Sequence, residues 1–321
     1  MLEVRQLVKH FGACLALDDV ALDANDGEIC AVVGLNGAGK STLLRVLAGC
    51  LPAEAGRIVI SGVDALRSPL EARRITGFLP EGCPLYEDLR VSEHLRYRAR
   101  LKGLQGRRLR ARVRRVLEQC GLSEHPRTFI SRLSTGMRRR VGLADAILME
   151  PRLLLLDEPF AALDPEQIDK TCEWLTQAAR HAAVVLATQR IDLVQRVCQR
   201  AVILKRGRVA EIQHLVATGR SRFGTVLLEI EGTVPPDVAT LTTALPDITA
   251  IRIQRLPDGA WSLRCECLEG TDIRASLADT VMRSGWRLRE IRGVEPHLRA
   301  AFCSLSSTHA PPAATHNRSE P

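Results

Sequence analysis

The stretch GLNGAGKST occupies residues 34–42 and lies between two segments with different hydrophobic patterns. Before it, Ile29–Val33 is a short apolar run typical of a buried parallel strand. After it, Leu43, Leu44 and Leu47 recur at the spacing of a helix. Strand, glycine loop and helix in this order are the context that the phosphate-loop pattern G-x-x-x-x-G-K-[ST] requires.

The chemistry of this loop matches that pattern. Its glycines let backbone N–H groups turn inward on a phosphate, which also meets the positive end of the following helix. Lys40 has the length to reach the β- and γ-phosphates of a nucleotide, and the Ser41 hydroxyl is a Mg²⁺ ligand. The loop alone does not distinguish a kinase from a GTPase or an ATPase. We predict nucleotide contacts from Gly34, Asn36, Gly37, Ala38, Gly39, Lys40, Ser41 and Thr42.

Composition sets broad limits on the protein. The chain has 321 residues, 45% hydrophobic content and a formal net charge of +8. Its length suits two domains, because single hydrophobic cores stop growing near ~250–300 residues. Neither a signal peptide nor an apolar run of the ~18–20 residues that a membrane span needs is recognisable. The ten cysteines form no C-x-x-C pair, so we expect reduced, mostly buried thiols in a cytosolic protein.

A second chemical feature follows another buried strand. Four leucines, Leu153–Leu156, end in Asp157 and Glu158. Such a strand delivers its carboxylates to the carboxyl edge of an open α/β sheet, where ligands bind. We expect Asp157 to hold Mg²⁺ and Glu158 to polarise an attacking water.

Three further features allow two interpretations each. Phe11 stacks on a purine or is one more core phenylalanine, and the sequence favours neither. Ser134 and Gly136 begin a helix, where they bind an anion or only cap the helix. The arginines of residues 107–115 form a solvated helix face or, less favoured because no aromatics interleave them, a nucleic-acid stripe.

Residues 1–217 resemble the nucleotide-binding subunit of an ATP-binding-cassette (ABC) transporter. The resemblance implies an α/β P-loop domain with a helical subdomain at about residues 82–148. Leu133–Met137 matches the family signature, usually Leu-Ser-Gly-Gly-Gln, with Thr135 and Met137 as departures. Residues 34–42 then form the Walker A loop.

The same resemblance implies residue roles. Phe11 becomes the adenine-stacking aromatic, Asp157 ends the Walker B motif, Glu158 occupies the catalytic position and Asp164 belongs to the D-loop. In this family two subunits pair head to tail, so each ATP contacts one Walker A loop and the other subunit's signature. The expected partners are a second copy of the chain and integral membrane permease subunits, at the inner face of the cell membrane, with ATP and Mg²⁺ as ligands.

Two positions depart from the family pattern. Glu81 stands where the Q-loop glutamine is usual, as in the subgroup that resembles drug-efflux and gliding-motility ATPases, and we expect it to reach Mg²⁺ or its water. Gln189 stands at the position of the switch histidine. Glutamine donates a neutral hydrogen bond and cannot become cationic, so we predict ATP binding with slow hydrolysis.

The remaining third of the chain predicts a separate accessory domain. Residues 224–303 have the element order βαββαβ of a small α+β ferredoxin-like domain and no catalytic constellation, so we expect a dimerisation or regulatory role. Residues 304–321 are rich in Ser, Thr, Pro and Ala and predict a disordered tail. The predicted helices here cover residues 235–245, 271–284 and 296–302.

Two other functions compete with an exporter ATPase. One is a soluble ABC ATPase acting on ribosomes or DNA, which the basic charge supports. Its relatives, however, generally have tandem cassettes, coiled-coil arms or zinc modules, and none is visible here. The other is a binding-only cassette that signals by closing on ATP, which Gln189 motivates. We favour the exporter and consider nucleic acid an unlikely partner.

Overall fold

The computed structural model describes residues 1–215, 225–232, 241, 245–256, 258–267 and 273–294. The strands are β1 Leu2–Phe11, β2 Cys14–Ala24, β3 Ile29–Val33, β4 Ala55–Ile60, β5 Val63–Asp64, β6 Thr76–Leu79, β7 Leu153–Asp157, β8 Ala183–Thr188, β9 Arg200–Lys205, β10 Arg208–His214, β11 Thr225–Glu231, β12 Ile248–Arg255, β13 Trp261–Cys267 and β14 Arg287–Val294. The helices are α1 Lys40–Leu47, α2 Pro69–Arg74, α3 Val91–Leu101, α4 Gly106–Gln119, α5 Thr135–Ala146, α6 Pro165–Ala179, α7 Ile191–Val197 and α8 Arg274–Arg283.

The central sheet has the strand order β10-β9-β3-β8-β7-β6, and its inner strands run parallel. Strands β3, β7 and β8 are buried along their whole length, as expected of apolar runs covered on both faces. Val33 pairs with Thr188 and Asp157 with Ala187, so the three strands end at the same level. The segments that follow them therefore meet at one edge.

A second, antiparallel sheet has the order β2-β1-β4-β5. Residues 2–8 and 17–23 alternate apolar and polar positions, a pattern that predicts two edge strands, and this prediction is correct for β2 only. Strand β1 is internal because it pairs with β2 on one side and with β4 on the other. Apolar side chains of this sheet pack with helix α1 and one face of the central sheet in a shared core.

The predicted helical subdomain, residues 82–148, contains α3, α4 and α5. The buried face of α4 consists of Leu109, Val113, Val116 and Leu117. Most arginines of this helix are exposed, in agreement with a solvated face. Arg112 is the exception, because its guanidinium donates to the Leu148 carbonyl at 2.8 Å beyond the end of α5.

The carboxy-terminal sheet has the order β12-β13-β11-β14, with every pair antiparallel. The first and third of its strands lie at the centre and the second and fourth at the edges, as in a ferredoxin-like domain. Leu277 and Val281 of α8 pack in its core. The predicted helices at 235–245 and 296–302, the cap at 271–272 and the tail at 304–321 lie outside the described residues, apart from Leu241 and Leu245.

The sequence predicted no membrane span and mostly buried, reduced cysteines. In the described ranges no helix is both long and apolar enough to cross a membrane. The cysteines within those ranges are free thiols, and most are buried, which agrees with the sequence prediction. Burial raises the pKa of Cys30 and Cys120 to about 12, so these thiols are unreactive packing groups.

An ion cluster joins α3 to α5 inside the helical subdomain. The Asp145 carboxylate, 14% exposed, accepts hydrogen bonds from Arg98 at 2.9 Å and from Lys102 at 3.0 Å. Burial raises the pKa of Asp145, but the two cations outweigh it and hold that pKa below its ordinary value. Folding therefore favours the ionised form, and the resulting stability is present above about pH 4 and lost as the pH falls below it.

We predict that Asp145→Asn lowers the free energy of unfolding by about 2 kcal/mol at pH 7, between the values for exposed and fully buried pairs. Urea denaturation measures this loss, which should narrow below about pH 4. Asp169→Asn, which breaks an exposed pair with Arg196, is the control and should cost less than about 1 kcal/mol. Equal losses in the two variants would contradict the role of the cluster.

Candidate nucleotide-binding site

The loop between β3 and α1 has the backbone of an anion cradle. Gly37 and Gly39 have φ values of +78° and +106°, a backbone conformation that residues other than glycine rarely adopt. A Cβ at Gly39 would also lie 2.6 Å from the Ala16 carbonyl oxygen. The first helical bond of α1 runs from the Leu43 N–H to the Gly39 carbonyl, so the preceding N–H groups have no partner within the helix. These donors and the helix dipole suit a phosphate.

Lys40 lies inside this loop and is only 7% exposed. Its ammonium donates to the carbonyl oxygens of Gly34 at 2.8 Å and Leu35 at 3.0 Å. Burial lowers the pKa of Lys40, and the neighbouring carboxylates of Glu158 and Asp157 oppose that shift. The lysine is therefore held where a phosphate in the loop would meet a fixed positive charge.

Asp157 and Ser41 form the place for a cation. The Ser41 hydroxyl donates to Oδ1 of Asp157 at 3.2 Å, while Oδ2 is buried without a hydrogen-bond partner. Burial raises the pKa of Asp157, Glu81 adds to the rise, and the bond from Ser41 opposes it. An unpartnered buried carboxylate oxygen beside a hydroxyl fits Mg²⁺, which takes few protein ligands and completes its shell with phosphates and water. Accordingly, no group of three or more His, Cys, Asp or Glu is placed to hold a metal ion in the described part.

Glu158 follows directly and is held by the end of β8. Its two carboxylate oxygens accept the Thr188 hydroxyl at 3.0 Å and the Gln189 backbone N–H at 3.1 Å. Burial raises the pKa of Glu158, and the Thr188 bond and Lys40 oppose the rise. A carboxylate whose pKa is shifted toward neutrality and whose position is fixed is suited to accept a proton from water.

Gln189 connects Glu158 to the phosphate loop. Its side-chain amide donates to Oδ1 of Asn36 at 2.7 Å, and its backbone N–H is the donor to Glu158 described above. The sequence placed Gln189 near the reacting phosphate but did not predict the bond to Asn36. The amide supplies a neutral donor at a position where a histidine would supply a cation.

These groups surround a cavity of about 500 Å³. The predicted residues that line it are Asn36, Gly37, Gly39, Lys40, Ser41, Thr42, Glu81, Asp157, Glu158 and Gln189. Gly34 and Ala38 do not line it and support the loop from below. A Cβ at Gly34 would lie 2.4 Å from the Leu204 carbonyl, and Ala38 is 6% exposed.

The remaining predicted residues lie outside the cavity. Phe11 is 49% exposed, so the core interpretation is wrong, and it pairs across its hairpin with Cys14, which does line the cavity. Ser134 caps α5 by accepting the Met137 N–H at 3.3 Å. Asp164 caps α6 by accepting the Gln167 N–H at 2.8 Å.

Gly136 brings the starts of α5 and α6 together. A Cβ on this residue would lie 2.2 Å from the Gln167 side-chain oxygen, so a larger residue here would displace the end of that side chain. Ser134, Gly136 and Asp164 therefore form a patch of their own, which we call the signature patch.

Arg139 is a site residue that the sequence did not reveal. It is 5% exposed and donates to the backbone carbonyls of Glu81, of Asp157 at 2.7 Å, and of Glu158. The one sequence signal is its spacing, because Gly136, Arg139 and Leu143 recur at helical intervals on the buried face of α5. Because residues 138–140 are all arginine, the sequence alone did not distinguish the buried Arg139 from its neighbours.

A larger cavity of about 810 Å³ lies at the opposite edge of the sheet, where β7 and β8 begin. Its lining includes Arg112, Arg115, Arg152 and Arg180, together with the ends of α4, α5 and α6. Cationic side chains are stabilised near the carboxyl ends of helices, so the presence of these arginines does not require a bound ligand. Most of the predicted site residues line the smaller cavity, and none of them lines this one.

Comparison with known proteins identifies the family. Residues 17–161 match the family model described as ABC transporter. The chain is 35% identical over 218 residues to the uncharacterized ABC transporter ATP-binding protein YxlF of Bacillus subtilis, covering 67% of this chain and 72% of YxlF. The chain belongs to the ABC transporter family of ATP-binding proteins.

The chain is also 36% identical to the sulfate/thiosulfate import ATP-binding protein CysA of Bordetella parapertussis, over 66% of this chain and 61% of CysA. The alignment thus spans less than two thirds of that relative. A solved ATP-binding subunit of an ABC transporter superposes with a TM-score of 0.62 at 35% identity, covering 67% of this chain and 90% of that one.

A dimeric, post-hydrolysis cassette, MJ0796 bound to ADP and Pi, superposes with a TM-score of 0.62 at 25% identity, covering 67% of this chain and 99% of that one. Membership of this family makes the chain an ATP-binding protein and an ATPase, as the sequence predicted. The α/β cassette fold is confirmed as well.

We predict that Gln189→His raises the ATPase kcat about tenfold or more, since one well-placed donor is worth ~10²–10³ in rate elsewhere. The affinity for ATP should change little, because the phosphate loop is untouched apart from the Asn36 bond. Steady-state ATPase kinetics and fluorescent-nucleotide titration measure the two quantities. The double change Gln189→His with Glu158→Gln is the control and should show no gain. An unchanged kcat in the single variant would contradict the prediction.

Proposed function

We propose that this chain is the ATP-hydrolysing subunit of an exporter-type ABC transporter, working as a homodimer on a separate membrane permease. The observation that carries the proposal is the meeting of Lys40, Ser41, Asp157 and Glu158 at one sheet edge. A phosphate cradle, a cation ligand and a general base are the parts that ATP hydrolysis needs.

In this proposal the loop N–H groups and Lys40 bind the β- and γ-phosphates of ATP. Ser41 and Asp157 hold Mg²⁺, and Glu81, which faces the same cavity, reaches the ion or its water. Mg²⁺ would neutralise phosphate charge as it develops. Phe11, exposed beside the cavity, stacks on the adenine.

Glu158 then accepts a proton from the attacking water. Its carboxylate is oriented by hydrogen bonds from the Thr188 hydroxyl and the Gln189 backbone N–H. Because Gln189 stays neutral, charge on the γ-phosphate receives less stabilisation and turnover is slow. Gln189 also favours a second candidate function, a binding-only cassette whose closure on ATP is the signal. Single-turnover hydrolysis of bound ATP separates the two.

The second subunit completes the ATP site. Ser134 and Gly136 lie outside the chain's own cavity, in the signature patch. This position suits contact with ATP held by another copy, as expected of a head-to-tail pair. Asp164 of the same patch would lie at the subunit junction.

The surface near Glu81 has features that suit a permease. Tyr86 and Tyr97 stack edge to face at 5.4 Å and are 49% and 42% exposed, and Leu101 on the same helix as Tyr97 is 61% exposed. Exposed aromatic and apolar groups mark protein contacts. We place the permease on this tyrosine pair and the chain on the cytoplasmic face of the membrane.

Export rather than import rests on the sequence resemblance to the exporter subgroup at Pro80-Glu81, at Pro84–Tyr86 and at Val91–Leu95. CysA, by its name an import protein, shares 36% identity. The direction of transport is therefore the finest part of the proposal. Residues 1–217 and 224–303 form separate domains in it, with a regulatory or dimerising role for the second.

We predict that the double variant Tyr86→Ser, Tyr97→Ser recovers at least fivefold less of a polytopic membrane protein than the wild-type chain does. Detergent extracts of native membranes, pulled down on the tagged full chain and identified by mass spectrometry, give the readout. ATP binding by the variant should be unchanged. Leu70→Ser removes a 70% exposed leucine on α2 and is the control. Failure of the wild type to recover any membrane protein would contradict the proposed function.

A further inference from the structure

Arg139 is a buried cation whose bonds run to backbone instead of to a carboxylate. Its terminal nitrogens donate to the carbonyls of Glu81, Asp157 and Glu158, while its Nε has no partner among the described groups. A buried charge is costly unless it is well solvated by fixed dipoles. Arginine at a position otherwise suited to an apolar side chain therefore indicates a specific task.

The three carbonyls belong to two different segments of the sheet edge. Glu81 follows β6, whereas Asp157 ends β7 and Glu158 comes next. Arg139 itself belongs to α5, which starts at the signature patch. One guanidinium thus connects α5, the segment that contains Glu81 and the segment that contains Glu158.

The backbone at Glu158 needs such support. Its φ of +49° is a left-handed conformation that residues other than glycine rarely adopt. The side chain is held from β8 by Thr188, and the carbonyl is held from α5 by Arg139. The direction of the carboxylate depends on both contacts because the two fix opposite sides of the same residue.

A separate contact seats α5 against the same segment. A Cβ at Gly142 would lie 2.4 Å from Sγ of Cys83, and that thiol is within 3.5 Å of the Arg138 carbonyl. The helix therefore lies close enough to residues 81–83 that a small rotation would break the bonds of Arg139. Arginine suits this position better than lysine, since its planar fork holds several donors in fixed directions toward carbonyls on two segments, whereas the donors of a lysine ammonium all lie at one point.

We propose that Arg139 is a positioning residue that sets Glu158 and the signature patch in one fixed relation. Through it, the helix that a second subunit's ATP would contact is tied to the base that acts on this subunit's own ATP. The inference rests on the proposed function and assigns it a connecting residue that touches neither ATP nor Mg²⁺.

The test uses the full-length chain with Arg139→Met, which keeps side-chain volume and removes the bonds, and Arg139→Lys, which keeps the charge. Arg140→Ala is the control, because it removes the same charge one residue later on the same helix. The measurements are kcat and KM for ATP with Mg²⁺, affinity for a fluorescent ATP analogue in EDTA, and amide hydrogen exchange of residues 157–160, among which Pro159 has no amide N–H.

We expect Arg139→Met to lower kcat at least tenfold, with KM and the affinity in EDTA within twofold of wild type. Amide exchange at residues 157–160 should be faster at least tenfold. Arg139→Lys should recover part of both losses, and Arg140→Ala should match wild type.

Unchanged kcat and exchange in Arg139→Met would overturn the inference. So would a parallel loss of kcat and of affinity in EDTA, which would indicate general damage to the fold. Absence of ATP binding by the wild type would instead count against the proposed function, and the exchange measurement stands apart from both because it needs no nucleotide.

Discussion

The structure depends on keeping charges buried at the carboxyl edge of a parallel sheet. Asp157 and Glu158 end a wholly buried strand, and Lys40 and Arg139 bring the opposing charges to the same place. None of these groups is tolerable alone in an apolar core. Each is satisfied by another part of the edge: Lys40 by loop carbonyls, Glu158 by Thr188, and Arg139 by the carbonyls of the acids' own segment. The buried Oδ2 of Asp157 has no hydrogen-bond partner and is the oxygen that would hold a cation.

In the proposed function, one chain carries two unlike surfaces for nucleotide. The phosphate loop, with Lys40, builds a cavity, whereas the signature patch is a pair of helix starts packed through Gly136. Helix α5 belongs to both, since it begins at the patch and reaches the acids through Arg139. In our proposal, this connection would link nucleotide contact at the signature patch to the position of Glu158.

Much of the fold could be predicted from the sequence because the relevant signals are local. Strand–loop–helix around residues 34–42, and the leucine run before Asp157, need only periodicity and a few glycines to be recognised. The internal position of β1 depends on its pairing with β4, about fifty residues away, and periodicity does not record pairing. Arg139 and the Gln189–Asn36 bond escaped prediction for the same reason, because both join segments distant in sequence. Phe11 left two interpretations open because exposure is a property of the folded chain.

The central claim is that ATP is held between two copies of this chain, one giving its loop and the other its signature patch. Sedimentation of the Glu158→Gln chain with ATP tests it most directly, because slowed hydrolysis preserves the closed pair. We predict a dimer with ATP, a monomer with ADP, and loss of the dimer when Ser134→Arg is added while the monomer still binds ATP. A monomer in saturating ATP, or a dimer that tolerates Ser134→Arg, would contradict the account.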